Sequence, residues 1–287
     1  MKIIATDMDG TLLNSRGDIS DENKQAIEKA IANNIEVIVV TGRSYISAKR
    51  LLREKNLHTP IIGFNGGEVR SEEGKIIMNF PLNKELCSKI AAACSAEGVY
   101  YDIYTNEGVY SSSKEQTVES FVTLLARIHN QTPLEDIRKL VEQHMEDEQF
   151  HFTDQYEQVL HSNLTFYKMF ALSLQEEQLQ NVYHRLKGEE ELVITSSGKG
   201  NLEFNHQDAK KGTVLQRYVN EKGISMNEVM AIGDNYNDVS MLQMAGRGVA
   251  MGNANEDIKE VCSHVTKTND ENGVAVAIEQ LLNELNE

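Results

Sequence analysis

Two aspartates close to the start of the chain, Asp7 and Asp9, have the residue type and spacing of a metal-binding or catalytic pair. They follow an apolar run, Ile3-Ile4-Ala5, which predicts a strand, and Gly10 after them allows a sharp turn and the close approach of a ligand. Residues i and i+2 of a strand share a face, so we expect both carboxylates to converge on one spot. A divalent cation such as Mg²⁺ would relieve their repulsion. The alternative is an acidic turn after an edge strand.

Polar residues also follow other apolar runs that predict buried strands, or begin a predicted helix. The four positions are the Asp7–Asp9 pair, Thr41, Lys211 and the Asp234–Asp238 pair. Ligands of open α/β sheets bind beyond the carboxyl ends of the strands. Four such positions on one rim are therefore a far stronger indication of a binding site than the first pair alone.

Strand and helix patterns alternate over the first 80 residues and again after residue 206, which predicts an α/β fold. We expect a doubly wound, Rossmann-like parallel sheet built from residues 1–81 and 206–287. Between them, hairpin signals with helices set apart from them predict an inserted α+β domain over residues 82–205.

Composition narrows the function classes. The 287 residues are 40% hydrophobic, enough for a core, and their net charge of −16 argues against nucleic acid or an anionic membrane as partner. Three scattered cysteines do not suggest a disulfide framework or a zinc site. No apolar run approaches the ~20 residues that span a bilayer, and we expect no signal peptide. These features predict a reduced, cytoplasmic protein and leave its oligomeric state open.

Together the motifs resemble the haloacid dehalogenase-like superfamily, and within it the Cof-type phosphatases with a C2-type cap. The resemblance covers the whole chain and rests on TDMDGTLL, TGRS, NGG, KKG before a helix, GDNYND and NDENGV. It implies a Mg²⁺-dependent phosphatase of small phosphorylated metabolites, with sugar phosphates as the expected class, and gives the inserted domain the role of a cap that sets substrate specificity.

The resemblance also implies roles for the acidic residues. Asp7 would be the nucleophile that forms an aspartyl-phosphate, and Asp9 the general acid and then the general base. The metal would take a carboxylate oxygen of Asp7, the backbone carbonyl of Asp9 and the carboxylate of Asp234. Asp238 would orient metal-bound water from behind these ligands.

The remaining implied residues would bind the phosphate. Thr41 would donate a hydrogen bond to a phosphate oxygen, and Lys211 would stabilise the charge of the transition state. The backbone amides of Met8 and Gly42 are further candidate donors. Asn237 would hold either Lys211 or the phosphate.

Several residues have a second interpretation. Thr41 could be the N-cap of the following helix, and Arg43 could be a substrate contact or an exposed helix-start residue. Of the adjacent lysines, Lys211 is preferred to Lys210 because the lysine directly precedes glycine in the resembled pattern. The GKG within residues 197–200 lacks P-loop spacing and predicts a hairpin turn.

Two other functions fit the same residues. A phosphomutase would use Asp7 and Asp9 but return the phosphate to a bound sugar. A regulatory protein would bind a phosphorylated metabolite with little turnover, but it has no need of a nucleophile beside an acid.

Overall fold

The computed structural model describes residues 1–128, 132–196 and 200–286 of the chain. These residues form two compact units: a core unit of Met1–Asn79 with Asp208–Glu287, and a cap unit of Phe80–Gln207. Residues 197–199, in the middle of the turn predicted at 197–200, lie outside the described residues.

The strands are β1 (Ile3–Thr6), β2 (Glu36–Val40), β3 (Ile61–Gly63), β4 (Glu68–Arg70), β5 (Ile76–Asn79), β6 (Tyr100–Thr105), β7 (Gly108–Ser111), β8 (Phe150–Phe152), β9 (Phe166–Leu172), β10 (Leu192–Thr195), β11 (Asn201–His206), β12 (Val229–Gly233), β13 (Arg247–Ala250) and β14 (His264–Val265).

The helices are α1 (Asp21–Ala32), α2 (Tyr45–Glu54), α3 (Lys84–Ala96), α4 (Lys114–Ile128), α5 (Leu134–Asp147), α6 (Tyr156–His161), α7 (Glu176–Leu186), α8 (Lys211–Glu221), α9 (Val239–Met244), α10 (Glu256–Glu260) and α11 (Gly273–Asn286).

The sheet of the core unit has eight strands in the order β14-β13-β12-β1-β2-β3-β4-β5. The six strands from β14 to β3 are parallel, and the β4–β5 hairpin adds two antiparallel strands at one edge. Strand β1 lies between β2 and β12, so it pairs with segments from both halves of the sequence. The mainly parallel α/β core is therefore as predicted.

The core strands are covered on both faces, which explains their uninterrupted apolar sequences. Ile4, Val39 and Ile232 pack with α1, α2 and α11 in one large apolar cluster. Ile3 and Ile38, whose positions alternate with these and so point to the opposite face, are fully buried as well.

The cap unit contains a separate mixed sheet in the order β10-β11-β9-β6-β7-β8. Its neighbouring strands are antiparallel except for β7 and β8. Helices α3 and α7 contribute to one apolar cluster of the unit, and α4 and α5 form a second. This confirms the insertion of an α+β domain in mid-sequence. Strand β8 was not predicted, because three residues are too few for a periodic pattern.

Within the described ranges, no helix combines the length and the apolar character that crossing a membrane requires.

Candidate active site

The carboxyl ends of neighbouring core strands bring the predicted residues together. Asp7 follows β1, Thr41 follows β2 and Asp234 follows β12, and these three strands are adjacent in the sheet. Lys211 opens α8, and a close contact fixes that helix start: a Cβ at Gly66 would lie 3.0 Å from the backbone nitrogen of Lys210. The turn after β3 therefore packs closely against the start of the helix that carries the lysine.

The centre of the site is a buried lysine between two aspartates. Lys211 Nζ donates to Asp7 Oδ1 at 2.6 Å and to Asp238 Oδ1 at 2.6 Å. All three side chains are buried, so each charge has lost its water and depends on the others. The prediction chose Lys211 over Lys210, and the structure places Lys211 in this cluster while Lys210 is exposed.

Burial and charge shift the protonation of these groups. Burial raises the pKa of Asp7 well above its ordinary value, Asp238 and Asp234 raise it further, and Lys211 opposes the rise. Burial also raises the pKa of Asp234 to about 7, with Asp238 adding to the effect. Burial alone would lower the pKa of Lys211, but its attraction to Asp238 and Asp7 raises it instead. Three carboxyl groups thus surround one lysine, and each carboxylate makes the next one harder to ionise.

Asp238 shapes the loop as well as holding the lysine. Its Oδ2 accepts hydrogen bonds from the backbone nitrogens of Asp234 and Asn235, both at 3.0 Å. With Lys211 on Oδ1, both of its carboxylate oxygens have partners. Asp238 thus ties the loop after β12 to the start of α8.

Asp9 does not share a strand face with Asp7, which corrects the spacing argument. Strand β1 ends at Thr6, and residues 8–12 form an irregular turn in which Gly10 has φ +76°. The Asp9 carboxylate forms a two-point ion pair with Arg43, at 2.8 Å to Nε and 2.7 Å to Nη2. The Asp9 side chain is 57% exposed, whereas that of Arg43 is only 14% exposed.

The loop after β2 is organised by Thr41. Its Oγ1 accepts a hydrogen bond from the Arg43 nitrogen at 3.1 Å, and its side chain is buried. Helix α2 is capped instead by Ser44, whose hydroxyl accepts from the nitrogen of Ser47. The N-cap interpretation of Thr41 is therefore wrong. Gly42 belongs to the same loop, and a Cβ there would lie 3.0 Å from Asn65 Oδ1.

Asn237 contacts an asparagine rather than the lysine. Its Nδ2 donates to Asn65 Oδ1 at 3.1 Å, while its own Oδ1 is buried without a hydrogen-bond partner within the described residues. Phe64 and Asn65 both have positive φ, an uncommon conformation that marks a tightly constrained turn. Met8, predicted to offer its amide, buries its side chain in the core.

The acidic side chains fit a hard divalent cation. Oxygens of Asp7, Asp234 and Asp238 lie within 4.8 Å of one another. Because both oxygens of Asp238 are engaged, Asp7 and Asp234 are better suited to bind a metal directly. Thr11 Oγ1 donates to Asp234 Oδ1 at 2.8 Å and orients that carboxylate.

Three residues that shape the site have no definite role in the sequence analysis. Arg43 has two interpretations there, and Thr11 and Asn65 occur only within motifs. Their partners lie 34, 223 and 172 residues away, so local patterns could not reveal them.

The fold and the site define a class before any comparison. A mainly parallel sheet with a lysine–carboxylate cluster at its strand ends, interrupted by a separate α+β unit, is typical of capped hydrolases. The family model described as haloacid dehalogenase-like hydrolase matches residues 4–278. The chain belongs to this family, as the motifs predicted.

Similar proteins agree. Phosphatase YwpJ of Bacillus subtilis is 33% identical, and the alignment covers 98% of this chain and 100% of that protein. The 5-amino-6-(5-phospho-D-ribitylamino)uracil phosphatase YwtE of the same organism is 33% identical, with 98% of each chain covered. A solved haloacid dehalogenase-like hydrolase from B. subtilis has a TM-score of 0.90 and 32% identity, covering 98% of this chain and 100% of that one. The predicted Cof-type relationship and phosphatase class are confirmed.

Proposed function

We propose that this phosphatase uses Mg²⁺ and hydrolyses small phosphorylated metabolites, sugar phosphates among them, through an aspartyl-phosphate on Asp7. The observation that carries the proposal is the buried contact of Asp7 with Lys211 at 2.6 Å, at the end of the central strand. A carboxylate there is held in place by a cation that can also attract a phosphate. A purely structural aspartate would not need this arrangement.

In the first half of the reaction, a carboxylate oxygen of Asp7 attacks phosphorus. The bond from phosphorus to the ester oxygen breaks, and the departing alkoxide takes a proton from Asp9. The products of this step are the free alcohol, an acyl phosphate on Asp7 and an Asp9 carboxylate. Once it has given up this proton, the Asp9 carboxylate can pair with Arg43 as it does in the structure.

In the second half, water attacks the phosphorus of the acyl phosphate. Asp9 accepts a proton from that water, the bond between phosphorus and the Asp7 oxygen breaks, and inorganic phosphate leaves. Both residues return to their starting forms. One acid–base residue therefore serves both halves.

The other residues manage charge. Lys211 attracts the phosphate oxygens, and Thr41 and the backbone amides of Met8 and Gly42 donate hydrogen bonds to them. Asp7, Asp234 and the Asp9 carbonyl would hold Mg²⁺, whose positive charge would let an anionic substrate approach an anionic nucleophile. Asp238 holds Lys211 and the loop that carries Asp234 in fixed positions relative to each other.

The substrate class is supported by the relatives. YwtE, at 33% identity, is named for a substrate whose phosphate sits on a ribityl chain. We extend that chemistry, a phosphate ester of a polyhydroxylated carbon chain, to this enzyme.

The test is phosphate release from a panel of sugar phosphates, sugar-alcohol phosphates and p-nitrophenyl phosphate, with Mg²⁺ and with chelator. Asp7→Asn should abolish turnover, and Asp154→Asn, a change at an exposed position in the cap unit, should retain it. Turnover that survives Asp7→Asn in protein free of contaminating phosphatase would overturn the mechanism. Isomerised sugar phosphate without free phosphate would indicate a mutase, and analogue binding without turnover a regulatory protein.

A further inference from the structure

The turn that carries Asp9 has few regular hydrogen bonds of its own. Asp9 has an extended conformation and Gly10 has φ +76°, so the helical ladder is interrupted between residues 8 and 12. One backbone bond closes the segment, from the nitrogen of Leu13 to the carbonyl of Met8 at 2.9 Å. Other carbonyls of the turn need donors from elsewhere.

Three asparagine side chains provide those donors, each from a different part of the sequence. Asn253 Nδ2 donates to the Gly10 carbonyl at 2.8 Å. Asn23 Nδ2 donates to the Leu12 carbonyl at 3.2 Å, and Asn269 Nδ2 to the Leu13 carbonyl at 3.0 Å. We call this set the asparagine clamp.

One segment, residues 269–275, binds the side chains of the clamp through its backbone nitrogens. The nitrogen of Asn269 donates to Asn253 Oδ1 at 3.0 Å, and the nitrogen of Ala275 donates to Asn23 Oδ1 at 2.9 Å. Each of these two amides therefore has a donor on its oxygen and an acceptor on its nitrogen, which fixes its orientation. Asp270 adds a further bond, accepting from the nitrogen of Ser15 at 2.8 Å. This segment includes NDENGV, to which sequence analysis gave no role.

The Gly10 carbonyl is the point where the clamp reaches the site. Gly10 packs against the Asp234 carboxylate so tightly that a Cβ would lie 2.4 Å from Asp234 Oδ2. Asp9 precedes this glycine, and Thr11, which binds Asp234, follows it. Moving Gly10 would move Asp9 and Asp234 together, and displacements of about 1 Å can cost about 100-fold in rate.

We propose that Asn253, supported by Asn269, is a positioning residue that fixes the Asp9–Gly10–Thr11 turn for catalysis. The catalytic part of this inference rests on the proposed phosphatase function. Asn253 does not touch the reacting atoms. It acts through the backbone of Gly10.

The decisive variant is Asn253→Asp, which keeps an oxygen for the Asn269 nitrogen but replaces the donor to Gly10 with an acceptor. We expect kcat to fall between about 10-fold and about 100-fold, with KM changed less than about threefold. The loss should be larger for an alkyl phosphate than for p-nitrophenyl phosphate, because the poorer leaving group depends more on the proton from Asp9. A loss through partial unfolding would be equal for both substrates.

The matched control is Asn33→Asp, because Asn33 also donates its amide to a backbone carbonyl, that of Lys29, but on an exposed surface. It should leave kcat and KM unchanged. Should Asn253→Asp fail to fold, Asn269→Asp removes the donor to Leu13 while keeping the backbone bond to Asn253, and should shift kcat in the same direction.

Hydrogen exchange without substrate separates the clamp from the reaction. Asn253→Asp should speed exchange at residues 10–15 and leave β12 protected. Unchanged exchange there, or kcat within twofold of wild type for both substrates, would overturn the proposal. Absence of wild-type turnover would instead count against the phosphatase function, and the exchange result would still decide whether the clamp orders the turn.

Discussion

The core unit and the cap unit each bury a cluster of polar side chains. Burying a carboxylate costs free energy, and the partners that offset this cost differ between the two clusters. In the core, Lys211 pairs with Asp7, 204 positions away, and with Asp238, and Asp234 lies close to both aspartates. In the cap, Asp102 is surrounded by hydroxyl groups of Tyr100, Ser111 and Thr117, all within one stretch of sequence. The core carboxylates contact a lysine directly, whereas Asp102 accepts a hydrogen bond from a neutral hydroxyl group and only feels the charge of Lys168.

The difference shows which species would neutralise each cluster, a metal ion or a proton. The core cluster keeps more carboxylates than cations, so a bound metal would complete its charge balance. Asp102 Oδ2 in the cap is buried without a hydrogen-bond partner among the described residues, and burial raises the pKa of Asp102 to about 7. A proton is the simplest way to neutralise that carboxylate. The first cluster suits catalysis, and the second stabilises a fold in a pH-dependent way.

Removing the shared lysine should have the largest effect. Lys211→Met leaves Asp7 and Asp238 buried without their cation, so we expect about 3–5 kcal/mol less stability and a loss of about 100-fold to 1,000-fold in kcat. Urea unfolding and phosphate release would measure these changes. Lys210→Met, at the exposed neighbouring lysine, is the control. Equal effects of the two variants would show that the buried cluster is not the functional one.

The second largest effect is expected at Asp102, as a change in how stability depends on pH. Its folded-state pKa, about 7, lies above its ordinary value of 3.8, so the folded protein binds the extra proton and loses stability as pH rises through this range. At about 1.4 kcal/mol per pKa unit, the loss amounts to at most about 4 kcal/mol. Asp102→Asn should lessen this slope in unfolding measured from pH 4 to pH 8, with phosphatase activity retained, while the part that comes from the raised pKa values of Asp7 and Asp234 persists.

The control for that slope is Asp154→Asn, at an exposed aspartate of the same unit, which should behave as wild type. A slope in Asp102→Asn equal to that of wild type would show that Asp102 does not contribute to the pH dependence.

Metal binding should have a smaller effect on the free energy of unfolding, and it should distinguish the core cluster from the cap cluster. Mg²⁺ at ten times its Kd should stabilise the wild type by about 1.4 kcal/mol, because it binds the folded site. Asp234→Asn should abolish this gain, whereas Asp102→Asn should keep it. Thermal unfolding with and without Mg²⁺ measures the difference. An equal gain in Asp234→Asn would place the cation elsewhere.

The smallest stability effect should come from the exposed ion pairs. Arg43→Met removes the pair with Asp9 and should cost no more than about 1 kcal/mol, yet lower kcat about 10-fold because Asp9 loses its anchor. Arg185→Met removes a pair with Glu97 in the cap at 2.6 Å and should cost a similar amount without loss of activity. Steady-state kinetics with unfolding of both variants would test this. Equal kinetics would make Arg43 an ordinary surface residue.

Much of this architecture could be predicted because the signals are local. The apolar runs of β1, β2 and β12 and the residues that follow them placed Asp7, Thr41 and Asp234 on one rim. The choice of Lys211 came from the resemblance to a family. Local periodicity also identified the inserted unit, though not its shortest strand.

The rest depended on contacts that no local pattern encodes. The direction of Asp9 could not be predicted, because the chain leaves the strand at Thr6 and turns through Gly10. The role of Arg43 depends on a partner 34 residues away. Asn253 and Asn269 look like ordinary loop residues in sequence, and only the fold brings their amides to the turn after β1.

The position of β1 between β2 and β12 has a consequence for how the protein is made on the ribosome. The first strand emerges early, but one of its two neighbours, residues 229–233, is translated only after the whole cap segment. The cap, a continuous stretch, can complete its own sheet while the core still waits for the last three of its eight strands, β12 to β14. The turn after β1 is completed last, because one of the asparagine clamp residues that hold it is Asn269. A nascent chain cut short before that residue would carry Asp7 without a finished site around it.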